Sequence, residues 1–111
     1  MIKKFLIEKF FKKANENMSL SMYKKAIKYL DRILLLDKNN VDALEWKGHC
    51  YASMYNKTDS LKCYELAFKL LPNSNELLIR KGSSYYILDE YNLAIDCFKE
   101  LIIQNPQIFI Y

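Results

Sequence analysis

Glycine and proline are scarce in this chain, two of each among 111 residues, and there is one histidine and one tryptophan. Such a composition excludes a collagen-like or disordered chain and fits a compact, mostly helical one, since 51% of residues are hydrophobic and 27% charged. No apolar run approaches the length needed to span a membrane. The three cysteines, Cys50, Cys63 and Cys97, are odd in number and form no CxxC pair, as expected of reduced thiols in a cytoplasmic protein. His49 adjoins Cys50, but neighbours on a helix point about 100° apart and cannot share a proton. Neither a catalytic set nor a metal-ligand spacing is present, so no enzyme activity, metal or cofactor is expected. The basic, apolar opening from Met1 to Lys13 contains no Arg or Ser and carries Glu8, so it reads as structure rather than as a targeting segment.

What the chain does have is a repeat. Gly48 and Gly82 lie thirty-four residues apart, as do Tyr51 and Tyr85, Cys63 and Cys97, Tyr64 and Phe98, and Pro72 and Pro106. A fixed period of this size marks stacked copies of one supersecondary unit. Leu44, Gly48, Tyr51 and Tyr55 recur at helical spacing, and Leu61, Tyr64, Ala67, Phe68 and Leu71 follow as a second helix. Leu78, Gly82 and Tyr85, then Ala94, Ile95, Phe98, Leu101 and Ile102, repeat the pattern, so each unit is a helical hairpin. Asn39 and Asn73 stand three residues before Asp42 and Glu76, which predicts that they cap the first helices. Pro72 and Pro106 are expected to close the second ones. Residues 7–40 follow the scheme more loosely, with Phe10, Ala14, Ala26, Leu30 and Ile33 in register with Leu44, Gly48, Ser60, Tyr64 and Ala67.

At these positions the chain resembles the tetratricopeptide repeat family, whose signature joins a bulky residue, Gly and Tyr on one helix to Ala, an aromatic and a closing Pro on the next. The third copy offers Leu78, Gly82, Tyr85, Ala94, Phe98 and Pro106; the second offers Leu44, Gly48, Tyr51, Ser60, Tyr64, Ala67 and Pro72. It departs from the signature at Lys47 and Lys81, where the family has Leu, and at Leu44 and Leu78, where it has Trp. The resemblance implies one all-α domain, residues 1–111: a right-handed superhelical array of three antiparallel helical hairpins, about 7–40, 41–74 and 75–108. The glycines are expected to let the paired helices approach closely, so that Gly82→Leu destabilises by about 1–3 kcal/mol.

The resemblance also places first helices along a concave groove that binds a peptide segment or a partner helix. The groove candidates are Phe11, Lys12 and Asn15 in the first copy, Glu45, Trp46 and His49 in the second, and Ile79, Arg80, Ser83 and Tyr86 in the third. Trp46 is the proposed anchor, because Leu44, Gly48 and Tyr51 already fill the core slots of its helix. On that view it is exposed and dispensable for folding. Some family members clamp the C-terminal carboxylate of chaperone tails with two Lys, two Asn and one Arg. Asn15 and Arg80 match two of those sites, whereas Phe11, Trp46 and Glu76 occupy the others and offer no charged or amide donor, which argues against such a clamp.

Formal charge is polarised along the chain: +6 over residues 1–40, zero over 41–74 and −2 over 75–111. Lys3, Lys4, Lys9, Lys12 and Lys13, interleaved with Phe5, Phe10 and Phe11, give an alternative reading, a polyanion or membrane-surface binder working through the first helix. Nucleic acid is the less favoured partner, because Phe10 and Ala14 match core positions of later copies. After Pro106 only Gln107, Ile108, Phe109, Ile110 and Tyr111 remain, so homo-oligomerisation through an uncovered C-terminal end is expected.

Overall fold

The computed structural model describes residues 1–109, with side chains as far as Gln107. Six α-helices run in order: α1 Ile2–Ser19, α2 Tyr23–Leu36, α3 Val41–Ser53, α4 Lys57–Leu70, α5 Asn75–Ile87 and α6 Tyr91–Gln104, followed by a 3₁₀ turn Pro106–Phe109. They pair as three antiparallel hairpins, and the extents of 44 × 29 × 25 Å reflect their stacking in one direction. At 18 residues, α1 is longer than α3 and α5, which have 13 each. None of the described helices is long and apolar enough to cross a membrane.

The caps fall one residue later than the sequence suggests. Asn40, not Asn39, accepts the Ala43 N–H, and Ser74, not Asn73, accepts the Leu77 N–H. Asn40 is fixed by its own bonds to Asp37, whose main-chain carbonyl and carboxylate take its N–H and its amide. Asp42 and Glu76 lie instead in the first turn, where a negative charge meets the positive end of the helix dipole. Asn56 caps α4, as its position in the turn suggests.

Each hairpin turns through the same backbone device. Ser21, Tyr55 and Asp89, again thirty-four residues apart, all have φ near +60°. The next residue donates its N–H to a carbonyl five positions back, from Met22 to Asn17, Asn56 to Tyr51 and Glu90 to Tyr85. This is the Schellman closure that glycine usually makes, here carried by three side chains at a modest steric penalty.

The interior follows the repeat. Ala14, Ala26, Leu30 and Ile33 are buried in the first hairpin, and Leu44, Ala67 and Leu77 join the second to the third. The two glycines lie beneath aromatic rings rather than against a partner backbone. A Cβ on Gly48 would meet Tyr64 Cε2 at 2.7 Å, and one on Gly82 would meet Phe98 Cζ at 2.8 Å. The Tyr64 ring is buried, and its hydroxyl shares a 2.7 Å hydrogen bond with Ser84 of the next hairpin. Ser60 donates to the Gly48 carbonyl at 2.7 Å, tying α4 to α3.

The departures at Lys47 and Lys81 have a structural use. Lys47 lies over the Tyr51 ring and reaches back to Asp31 of the preceding hairpin at 2.7 Å. Lys81 lies over Phe68 and Tyr85 in the same way. Lysine thus supplies an apolar stem to the stack and keeps its charge at the edge.

Candidate functional site

The first helices α1, α3 and α5 share one side of the stack, and a cleft of about 160 Å³ opens on it. Its walls are Asn15 and Met18 from α1, Glu45, Trp46 and His49 from α3, and Arg80 from α5. Five of the ten residues singled out in the sequence therefore meet in one place. Phe11 stands behind them, its ring edge-on to Trp46 with centroids 4.9 Å apart. Lys12, Ile79, Ser83 and Tyr86 lie outside the cleft lining. Tyr86 instead pairs with Tyr91 of α6, with ring centroids 5.4 Å apart.

Met18 is absent from the sequence-based set. It follows Asn15 by three residues on the same helical face, so extending the Phe11, Asn15 series by one turn would have found it.

Trp46 corrects the expectation of a free anchor. It is half-buried and packs on the first core cluster, with Phe11 as its partner. Helix α3 lies directly against α5, while side chains fill the space between α1 and α3, and Trp46 is the largest of these. A stacked array needs packing on this side as well as inside each hairpin, and the core slots of a single helix do not reveal it.

Glu45 is the least expected feature, a carboxylate only 3% exposed in register with Phe11 and Ile79. The Arg80 Nε donates to its Oε1 at 2.9 Å. Burial, reinforced by Glu76 and Asp42, outweighs the favourable effect of Arg80 and pushes the Glu45 carboxyl up to about 7. Burial and the Arg80 charge hold the His49 imidazole below its ordinary value. The floor of the cleft therefore changes charge close to neutral pH.

The thiols are unsuited to nucleophilic chemistry. Cys50, Cys63 and Cys97 are free and buried, and burial raises all three, Cys50 to about 12.

A stack of helical hairpins with glycine seated under an aromatic ring, and with polar residues gathered on its first helices, is a repeat array with a candidate binding face. The family model described as tetratricopeptide repeat matches residues 76–107, which span nearly all of the third hairpin. The chain is also similar to Hsp70-Hsp90 organizing protein 3 of Arabidopsis thaliana, 25% identical over 85 residues that cover 77% of this chain and 15% of that protein. The chain thus spans a small part of the length of this relative. The third hairpin thus carries the tetratricopeptide repeat pattern, and these likenesses support a protein–protein interaction module.

Proposed function

We propose that the α1/α3/α5 cleft takes a peptide segment or a helix of a partner protein. The observation that carries this is the convergence of Asn15, Met18, Trp46, His49 and Arg80 from three consecutive hairpins on a single cleft. Met18 and Trp46 offer apolar contact, while Asn15 and His49 offer hydrogen bonds that fix orientation. The relative is named for organising two chaperones, and Asn15 and Arg80 stand together here. Arg80 is nevertheless engaged by Glu45, and Glu76 and Asp42 add negative charge nearby, which disfavours a terminal carboxylate as the bound group.

Because Trp46 is the only tryptophan, its emission reports on this cleft alone. A panel of synthetic peptides screened by that emission should yield binders, with affinity lowered by about 1–2 kcal/mol in both Asn15→Ala and His49→Ala. Binders indifferent to both substitutions would remove the cleft from the interface. Trp46→Ala is the poorer probe, since it also removes the contact with Phe11.

A second reading concerns the C-terminal end, and the register of the repeats supports it. Positions that the third hairpin covers on the second, Glu45, Tyr64 and Phe68, become Ile79, Phe98 and Ile102, which are 45%, 37% and 44% exposed. At the opposite end, Lys9 and Glu16 stand where the later copies bury Ala43 and Leu77, or Cys50 and Ser84. Continuing the stack head to tail would bury those charges, so the self-association we propose pairs two C-terminal ends about a twofold axis. Whether the tail covers this face turns on Ile110, Tyr111 and the side chains of Ile108 and Phe109, which lie outside the described residues. Light scattering over a concentration series should show dimers that Phe98→Glu abolishes. A monomer at high concentration, with or without residues 107–111, would refute the pairing.

A further inference from the structure

On the edge of the stack where α2 begins and α3 ends, a groove of about 500 Å³ runs between the first two hairpins. Its apolar lining comes from Ile27, Tyr51 and Met54, and Lys24 and Lys28 stand at its side. It adjoins a second depression of about 310 Å³ that shares Lys24 and Met54 and adds Lys25. Among the described residues none of these three lysines pairs with a carboxylate. Two acids on neighbouring turns are already committed, Asp31 to Lys47 at 2.7 Å and Asp59 to the Asn56 amide at 2.8 Å.

The cluster of three belongs to this hairpin only. In register with Lys24, Lys25 and Lys28 stand Thr58, Asp59 and Lys62 in the second copy, and Asn92, Leu93 and Asp96 in the third. The stacking pattern therefore does not call for three lysines here. Exposed lysines often serve only for solubility, but these border a continuous apolar groove, and the +6 charge of residues 1–40 reinforces their potential.

From this pairing of an apolar groove with three unpaired lysines we infer a second docking surface, separate from the α1/α3/α5 cleft, whose occupant is an acidic peptide segment carrying apolar side chains. The apolar groups of such a segment lie on Ile27, Tyr51 and Met54 while its carboxylates meet the lysines. A nucleic-acid backbone would satisfy the lysines and leave the apolar lining unused. A bilayer would meet the projecting Leu20 and Met22 but cannot reach the recessed Ile27 of the groove.

The test is a selection of random twelve-residue peptides displayed on phage, panned on the full chain and on the variant Lys24→Glu/Lys25→Glu/Lys28→Glu. This variant should fold at least as well as the parent. Glutamate in the first turn of α2 complements the helix dipole, whereas Lys24 and Lys25 oppose it, and Met22 supplies no side-chain cap. Circular dichroism melting verifies that point. Sequences rich in Asp or Glu with interspersed Leu, Ile or Phe should be enriched on the parent and absent from the variant. A synthetic peptide of that kind should bind at least tenfold more weakly to the variant and should also weaken with Met54→Gln.

Two controls separate this surface from other anion binding and from the cleft. Lys3→Glu/Lys4→Glu/Lys9→Glu on α1 should weaken the selected peptide far less than the α2 variant does, through the loss of long-range potential alone, and Asn15→Ala should leave its affinity within twofold. The inference is overturned if no acidic sequences are enriched, if they persist on the α2 variant, or if charge reversal on α1 weakens them equally. A single-stranded oligonucleotide of equal charge that competes as well as the peptide would overturn it too, in favour of a polyanion surface.

Discussion

Replacing Glu45 with glutamine is expected to stabilise the domain above neutral pH and to leave it nearly unchanged near pH 4. Folded Glu45 titrates at about 7, and the unfolded side chain near its ordinary 4.5. Below pH 4.5 both states are protonated and the group contributes nothing to the pH dependence. Between the two values the unfolded chain loses its proton while the folded chain keeps it, so the folded state binds more protons and stability falls as pH rises. The loss is complete above about pH 7 and amounts to about 3 kcal/mol for a displacement of this size. His49 works in the opposite sense. Its lowered folded value makes stability rise with pH until the unfolded imidazole has lost its proton near 6.5. Subtracting urea-unfolding free energies of Glu45→Gln from those of the parent cancels the His49 contribution to first order and isolates Glu45. The difference should open from pH 4.5 and level off near pH 7, the hydrogen bond that Arg80 donates to the carboxylate being already contained in the folded value of about 7. A difference that stays flat across that range would mean that Arg80 fully offsets burial. If the expectation holds, the carboxylate is retained at a cost in stability, as residues that serve binding often are.

The repeat made the architecture legible. Gly48 with Gly82, Tyr64 with Phe98 and Pro72 with Pro106 locate the hairpins, because stacking imposes one period on every element. The caps differ by one residue from the sequence expectation because Asn39 and Asn40 are chemically alike, and only the bonds between Asn40 and Asp37 choose between them. In the candidate site, register brought Asn15, Glu45, Trp46, His49 and Arg80 to one side, and the structure gathers those five in the cleft. Register alone does not separate them from Lys12, Ile79 and Ser83, which share the same columns of the repeat. The gap between α1 and α3 beside the cleft is bridged by the Phe11 and Trp46 rings, residue types that the repeat does not impose at those positions. Glu45 was recognisable as an acid at a position occupied by Phe11 and Ile79 in the neighbouring copies. Its burial was not, since it follows from the close packing of α5 on α3.

The two glycines stand at equivalent positions, yet they should respond differently to the same substitution. Alanine in place of either recovers about 1 kcal/mol of helix propensity. At Gly48 the new methyl would sit 2.7 to 3.1 Å from three atoms of the Tyr64 ring. That ring is 1% exposed, and its hydroxyl is bonded to Ser84 in the third hairpin, so moving it disturbs two hairpins at once. Gly48→Ala should therefore destabilise by about 2 kcal/mol net. At Gly82 the methyl meets Cζ and Cε1 of Phe98 at 2.8 and 2.9 Å, the far end of a ring that is 37% exposed. Among the described residues no following hairpin covers Phe98, and the ring has room to swing outward. Gly82→Ala should accordingly fall within about 0.5 kcal/mol of the parent, the propensity gain offsetting the displacement. Leucine is a harsher probe at both sites, since its branch extends beyond the ring edge; at Gly82 even the Cβ would stand 3.3 Å from the Cys97 Cβ. Gly82→Leu should cost about 1–3 kcal/mol and Gly48→Leu more. Urea unfolding of the four variants measures all of this on one scale. Combining Gly48→Ala with Tyr64→Leu should cost less than the two changes made separately, because the smaller side chain removes the clash. Equal losses at Gly48 and Gly82, or strict additivity of Gly48→Ala with Tyr64→Leu, would show that the aromatic ring is not what the glycine accommodates.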